Sequence, residues 1–507
     1  MRFNANFRRD VIIVIAAVLI GVFYIAMAGG NFPLDDSWIH QTYGRNLAEY
    51  GQWAFYPGID SAASTSPLYT VVLSAGYKLN IDFHLWTHGL DVLALALTGL
   101  IGAHLAALVA PGRKYVPLAA GLALVLTWHL IWAAVSGMET MIFCMFTLLL
   151  IWLGWRELEP RSQTIPQVVL RGAIFGVAAG LATVTRPEGV LLVGLVALAV
   201  LIVRPNMTWR NLIVWAAAAL ICFGIVLAPY LIFNLRVTGG LLPNTAAAKR
   251  AESATYLAQS YLWRVENVLT PLAAGGQLLL IPGMIAYVLL LPRKRDSIFH
   301  MLLLVWPAAL ILLYAATLPL EIQHGRYLIP SLPGAIVAGV IGTAWLLQRT
   351  RASLIGRVLV RVVAGSAALV FALFALMLGL QAYVQDVAIV NQEMVASAQW
   401  IKANLSPDDL LVVHDIGAVG YFAPRPVLDI GGLISPEVVP LMHDPAAVWN
   451  LIHERGGKYL MALDTQIPGG DIHDPHLCPK FTTGGTAAPR AGSSNMTIYL
   501  LTWDGQC

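Results

Sequence analysis

The sequence predicts a polytopic α-helical membrane protein with a small α/β domain at its C-terminal end. Apolar runs long enough to cross a hydrocarbon core of about 30 Å recur along most of the chain. Charged residues are only 12% of the 507, and mean hydropathy is +0.70, whereas a soluble domain carries about 25% charged residues. Past residue 390 the composition turns polar, and short apolar runs alternate with helical patterns.

In order, eleven spanning helices are expected, at about 11–28, 85–110, 116–134, 138–155, 169–185, 189–203, 211–235, 272–291, 298–318, 328–347 and 357–383. The first ends at Ala26-Met27-Ala28, which has the look of a signal-peptide cleavage site. Its apolar stretch is long for a signal peptide, so a retained anchor is expected. Residues 1–385, including a first outer loop at 29–84, form a membrane module, and 386–507 form a second domain.

Basic residues orient the helices. With the N-terminus in the cytoplasm, the inner segments carry Arg2, Arg8 and Arg9; Arg113 and Lys114; Arg156, Arg161 and Arg171; Arg204 and Arg210; Arg293, Lys294 and Arg295; and Arg349, Arg351, Arg357 and Arg361. The outer loops carry fewer over a greater length: Arg45, Lys78, Arg186, Arg236, Lys249, Arg250, Arg264 and Arg326. A multi-pass protein of the plasma or inner membrane is expected, with its C-terminal domain extracytoplasmic. The polar strings all fall on that outer face: Asp35-Asp36, TRPEG at 185–189, LLPNTAAAK at 241–249 and QHGRYLIPSLP at 323–333. Cytosolic nucleotides do not reach it, and no GxxxxGK[ST] string occurs. No basic tract is interleaved with aromatics, so nucleic acid is not an expected partner.

In the tail, 391–404 reads as an amphipathic helix, Leu410–Val413 and Tyr459–Leu463 as strands, 446–455 as a helix and 466–494 as loop. Cys144 and Cys222 lie in apolar runs and read as core residues. Cys478 and Cys507 lie in the tail, where an extracytoplasmic location permits a disulfide; two free thiols are the alternative.

Adjacent acids at the mouth of a membrane helix usually mark a working site. An ionised carboxylate accepts the proton of an attacking hydroxyl. In an inverting glycosyl transfer, one carboxylate does this on the face opposite the leaving group. At an outer leaflet the leaving group would be a lipid phosphate, whose developing charge needs fixed cations. Arg186, Lys249, Arg250, His324 and Arg326 are candidates; Arg grips phosphate through a planar fork, Lys as a point charge.

Each has a plainer reading. Asp35 or Asp36 would cap a helix starting at Ser37. That helix, with Trp38, Ile39, Tyr43 and Leu47 on one face, would lie at the bilayer interface. Arg186 would pair with Glu188 or Glu139, and Glu139 would complement a helix dipole. Lys249 and Arg250 would be solvated, and Arg326 would anchor the tenth span at the interface. Asp91 and His129, isolated within spans, read as hydrogen-bonded packing residues. His84 and His88, at i and i+4, are a weak metal signal, and no metal is expected there.

Together the strings resemble the GT-C superfamily of integral-membrane glycosyltransferases, which take sugars from polyprenyl phosphates on the extracytoplasmic side. Protein O-mannosyltransferases, lipid A aminoarabinose transferases and mycobacterial arabinofuranosyltransferases are among them. The nearest pattern is arabinofuranosyltransferase-like, with an acid pair, Tyr-x-Arg-Asn-Leu-Ala and Thr-Ser-Pro-Leu. Here these are Asp35-Asp36, Tyr43-Gly44-Arg45-Asn46-Leu47-Ala48 and Thr65-Ser66-Pro67-Leu68. SGMET (136–140), TRPEG, LPNTAAAK (242–249) and HGRYLIPSLP (324–333) follow in similar order.

The resemblance implies a GT-C-like fold and a catalytic base at Asp35 or Asp36. It implies donor-phosphate contacts from Arg186, Lys249, His324 and Arg326. Tyr43, Arg45, Glu139, Glu188 and Tyr327 would bind substrate or support the site. The run Thr245-Ala246-Ala247-Ala248-Lys249 lacks the aromatic pair of similar chains, which weakens a sugar-stacking role for that loop. A divalent cation is needed by some members and not others.

The expected reaction moves a hexosyl or pentosyl unit from a polyprenyl-phosphate sugar to a cell-envelope glycan, lipid or protein, with inversion. The C-terminal domain would bind a glycan acceptor or act as a stabilising cap. The rivals are a transporter or lipid-linked-glycan flippase, and a non-catalytic scaffold. Transporters often show paired halves with broken helices, and no such internal symmetry is evident in the sequence.

Overall fold

The apolar runs are helical at all eleven expected positions in the computed structural model, which describes residues 5–159, 164–203, 207–241, 243–292, 294, 296–350, 353–504 and 507. Helix α1 (Ala5–Met27) enters the first loop, which folds as α2 (Asp35–Tyr50), the ribbon β1 (Ala54–Tyr56) and β2 (Ile59–Asp60), and α3 (Pro67–Lys78). There follow α4 (Phe83–Val109), α5 (Val116–Val125), α6 (Trp128–Val135), α7 (Thr140–Arg156), α8 (Ile165–Thr185), α9 (Gly189–Val203) and α10 (Trp209–Thr238). A polar stretch holds α11 (Asn244–Glu252) and α12 (Ala254–Leu257). Then come α13 (Tyr261–Leu269), α14 (Ile281–Leu290), α15 (Ser297–Thr317) and α16 (Leu332–Thr350). The last span, α17 (Leu354–Leu373), continues through two π-helical turns as α18 (Leu380–Val390) and α19 (Ala396–Asn404).

Among the described residues, seven helical segments are long and apolar enough to cross a membrane singly. Two bent pairs pass together, and α7 and α9 are apolar but shorter. The protein is therefore a multi-pass helical membrane protein. Of the basic residues used for orientation, Arg2, Arg161, Arg204, Arg293, Arg295, Arg351 and the side chain of Arg349 lie outside the described residues, as does Leu242 of the LPNTAAAK string.

The bend between α13 and α14 is 107° and falls at Pro271 and Gly275-Gly276. Carbonyls freed by such a break must find partners away from water. Trp128 Nε1 donates to Ala274 O (2.6 Å), Gln277 Nε2 donates to Leu272 O (2.7 Å), and the His129 ring bonds Pro271 O (3.1 Å). His129 is thus a hydrogen-bonded packing residue. Asp91 is another, accepting from Tyr69 Oη at 2.9 Å. Gly172, Gly176 and Gly180 repeat every fourth residue on α8 and let α10 approach closely; a Cβ at Gly172 or Gly176 would collide with the Trp215 or Ala219 carbonyl.

The expected eleventh span and the expected amphipathic helix at 391–404 are one helix of 51 residues, Leu354–Asn404. The expected domain boundary at 385/386 falls inside it. Beyond it lie β3 (Leu411–Val413), α20 (Gly417–Phe422), β4 (Val427–Asp429), α21 (Pro445–Glu454), β5 (Tyr459–Ala462), β6 (Leu477–Thr482), α22 (Ala487–Arg490) and β7 (Thr497–Leu501). The sheet order is β4-β3-β5-β7-β6, with β4, β3 and β5 parallel and β7 and β6 antiparallel to their neighbours. The stretch expected as loop, 466–494, also holds β6 and α22. β6 is an edge strand containing Pro479, which pairing on one side tolerates.

Strand alternation gives the sheet two cores. Val412, Leu460 and Ala462 face α21, while Leu411, Val413 and Met461 face the other way. That second core is shared with Trp38, Ile39 and Tyr43 of α2. So the apolar face of α2 meets protein rather than lipid, buried beneath the C-terminal domain.

A disulfide joins Cys478 in β6 to Cys507. It closes a loop that spans 29 positions and ties the edge strand to the end of the chain. Replacing both cysteines with serine is expected to lower the stability of the C-terminal domain by about 2–4 kcal/mol. Chemical denaturation followed at the C-terminal domain measures this; an unchanged midpoint would show the link to be dispensable.

Candidate active site

Helix α2 starts at Asp35, with Leu34 as its N-cap residue and no side-chain cap. Neither aspartate caps its own helix. Asp35 caps α20 instead: its carboxylate oxygens accept from Gly417 N (2.6 Å) and Ala418 N (2.8 Å). At the other end of α20, Arg45 donates to Tyr421 O (2.8 Å) and Gly420 O (3.2 Å). The Asp35 carboxyl oxygens and the Arg45 guanidinium thus satisfy free backbone groups at the two ends of α20. The seam is tight, since a Cβ on Gly417 would collide with the backbone carbonyl of Asp35. Gly417→Ala is expected to cost about 1–3 kcal/mol through overpacking and to loosen the C-terminal domain. Limited proteolysis should then cut within 405–507 sooner than in the parent protein; equal cutting rates would contradict the tight seam.

Asp36 faces a different wall. Arg326 Nη1 donates to Asp36 Oδ2 at 2.8 Å, and the arginine side chain is buried while the aspartate side chain is 35% exposed. The carboxylate is thus neutralised from one side and reachable from the other. Arg326 is not an interfacial anchor. It follows Gln323, His324 and Gly325, which all have positive φ (49°, 58° and 74°). Two of them are non-glycine, a conformation costing of order 1–3 kcal/mol each. The twist sends His324 and Arg326 to separate partners: His324 Nε2 pairs with Asp386 Oδ2 (2.8 Å), which also accepts from Trp132 Nε1 (2.9 Å).

A buried network backs the pair. His40, one helical turn after Asp36, lies 3.3 Å from Glu139. Arg186 reaches Glu139 (3.1 Å) through Nη1, Glu188 (2.8 Å) through Nε and Tyr314 Oη (3.0 Å) through Nη2. Tyr314 also donates to Glu188. Tyr327 stacks on Tyr314 with centroids 5.3 Å apart, and lies under both guanidinium groups, Arg186 at 5.4 Å and Arg326 at 5.3 Å. The pairing of Arg186 with Glu139 and Glu188 is thus present, and all three of its nitrogens are engaged.

The two aspartates titrate in opposite directions. Burial and the Asp415 carboxylate push Asp35 up to about 8, against the pull of the two amide donors. Burial would raise Asp36 too, but Arg326, Lys249 and His40 outweigh it and hold that carboxyl below the usual range. Divergent environments of this kind separate an ionised group from a protonated neighbour. Asp415 belongs to the C-terminal domain, where His414 Nδ1 (3.1 Å) and Gln466 Nε2 (2.8 Å) hold it. Lys249 adds its charge to Asp36 and Asp415 while pairing with Glu252 at 2.8 Å; it is not simply solvated.

The structure therefore gathers Asp36, Arg326, Tyr327, Glu139, Arg186 and Glu188 into one contiguous cluster, with Lys249 in its field. Tyr43 lies elsewhere, bonded to Ser61 Oγ (2.6 Å) and Ala63 N (3.1 Å). Arg45 holds the seam, and His324 holds Asp386. Among the described residues, no group of three or more His, Cys, Asp or Glu side chains is arranged to hold a metal; the His88 ring bonds Gly30 O at 3.0 Å.

Sequence reasoning missed His40, Tyr314, Asp386, His414, Asp415 and Gln466. His40 carried a usable signal, the i+4 spacing from Asp36. Tyr314 and Asp386 sit within or beside apolar runs with no motif around them.

Residues 383–499 match a family described as a domain of unknown function, DUF8728. Comparison with curated proteins by sequence finds no match. Solved structures are similar throughout. ArnT from Cupriavidus metallidurans, bound to undecaprenyl phosphate, superposes with a TM-score of 0.60 at 15% identity over 98% of each chain. The archaeal oligosaccharyltransferase AglB from Archaeoglobus fulgidus, in complex with an inhibitory peptide and a dolichol-phosphate, gives 0.61 at 12% identity, over 98% of this chain and 75% of that one. The arabinofuranosyltransferase AftD from Mycobacteria gives 0.52 at 16% identity, over 97% of this chain and 40% of that one. This chain shares its fold with these three proteins.

Proposed function

We propose that the protein is an inverting glycosyltransferase that moves a sugar from a polyprenyl-phosphate donor to a cell-envelope acceptor on the extracytoplasmic side. One observation carries the proposal: a half-exposed, ionised Asp36 held against a buried Arg326, with the Lys249 charge beside it. Asp36 is the base. It takes the proton of the acceptor hydroxyl as that oxygen attacks the anomeric carbon, and the bond from that carbon to the phosphate oxygen breaks with its electron pair leaving on the phosphate. Arg326 and Lys249 stabilise that charge.

Asp35, its oxygens occupied by α20, fixes the start of α2 and so aims Asp36. Arg186 and Glu139 brace Tyr327 and His40 around the pair, while His324 fixes the loop that carries Arg326. The neighbouring folds support the donor class: one carries undecaprenyl phosphate and another a dolichol-phosphate.

Orientation follows the basic residues, with the N-terminus cytoplasmic. Because protein cations supply the counter-charge, turnover is expected to persist when divalent ions are chelated. The direct test gives purified protein a polyprenyl-phosphate sugar and an acceptor and measures released polyprenyl phosphate. Turnover that survives loss of both Asp35 and Asp36 would remove the proposed base.

A further inference from the structure

A hollow lies where the first loop meets the C-terminal domain. Its volume is about 350 Å³, and its walls include Asn31, Phe83, His84, Asn391, Gln399 and Phe422, with Trp38 behind them. Trp38 follows Asp36 by two residues, about 160° around the helix at 3.6 residues per turn. The hollow is therefore on the side of α2 away from the Asp36–Arg326 pair and is distinct from the reaction site.

Three features say what it fits. First, Asn391, Val395 and Gln399 fall at i, i+4 and i+8 and present one stripe of the Leu354–Asn404 helix to it. The stripe begins in the π-helical turn Asn391–Val395, a local distortion often found at functional sites. Second, hydrogen-bonding capacity is unused. Among the described residues, Trp38 Nε1 and His84 Nε2 are buried without a partner, and the side-chain amides of Asn31, Asn391 and Gln399 stand in the same wall. Third, no Arg, Lys, Asp or Glu lines it, so it lacks the counter-charge that a phosphate or carboxylate needs.

Planar amides offer a donor and an acceptor side by side, the complement of adjacent hydroxyls on a sugar. The half-buried rings of Phe83 and Phe422 offer apolar faces for the C–H side of the same ring. A lipid chain would instead strand the amides and the imidazole. The volume is at the small end of ligand pockets, about 300–1,000 Å³, which suits one or two sugar units.

We propose that this cleft is a carbohydrate-binding exosite for a neutral glycan. Its use as a grip on the acceptor, remote from the reacting hydroxyl, rests on the transferase reading; the binding itself does not.

The test uses the full chain in lipid nanodiscs and short, uncharged linear manno- and arabino-oligosaccharides, with binding followed by saturation-transfer NMR. Asn391→Ala combined with Gln399→Ala is expected to weaken binding about tenfold or more, each amide contributing a few-fold. Asp36→Asn is expected to bind as the parent does, and matching thermal unfolding shows the variants folded. Absence of saturable binding overturns the exosite, as does binding indifferent to the two amide substitutions. Quenching of the cleft aromatics by brominated acyl chains in the parent but not in a Phe83→Ala and Phe422→Ala variant overturns it in favour of lipid. Persistent sugar binding in a protein that releases no polyprenyl phosphate leaves the exosite standing and defeats the transferase reading alone.

Discussion

Asp36→Asn is expected to lower turnover of a polyprenyl-phosphate sugar by about 10²–10⁴-fold, the usual worth of a general base. The substitution keeps the shape of the side chain and one acceptor for Arg326, so the fold should persist. Asp35→Asn should cost far less, because the amide oxygen still accepts from α20. The pH profile separates the two acids. A base works ionised. Asp36, held below the ordinary carboxylate range, stays ionised on acidification, so turnover should hold level down to about pH 5. If Asp35 were the base, with its carboxyl pushed up to about 8, turnover would decline as pH fell through 8. A measured acid limb near 8 that vanishes in Asp35→Asn would transfer the role to Asp35.

Arg326→Lys is expected to lower turnover by about 10²-fold, comparable to losing one fixed donor at a developing oxyanion. The charge is kept, so Asp36 is not left buried and unpaired, which would be costly for folding. What is lost is the planar fork and its stacking on Tyr327. Steady-state assays at varied donor concentration read the effect. Because the phosphate gains charge as the bond breaks, kcat should fall more than affinity for the donor. A variant with unchanged kcat would place the leaving phosphate elsewhere.

The spans were legible because each is a local run of apolar residues, and hydropathy needs no tertiary knowledge. The α/β character of the tail was legible from its short apolar strands, though edge strand β6, with Pro479 inside, reads as loop until its partner β7 is known. The association of Arg186 with Glu188 was legible because only Pro187 lies between them. The pairing of Asp36 with Arg326 spans 290 positions and that of Asp35 with α20 spans 382; no periodicity in one segment encodes either. The string HDIGAVGYF (414–422) has no spacing that points to a contact, yet it supplies His414, Asp415 and both amides that hold Asp35. The role of α2 was misread for a related reason. Its apolar stripe is the same whether it meets lipid or protein, and only β3, β5 and α20 distinguish the two.

The most direct measurement is a cryo-EM structure in nanodiscs with a non-transferable polyprenyl-phosphate sugar analogue bound. The donor phosphate should sit within hydrogen-bond reach of Arg326 and Lys249, with the anomeric carbon turned toward Asp36. A phosphate bound away from both cations, or a sugar facing Asp35 with Asp36 still shut against Arg326, would contradict it.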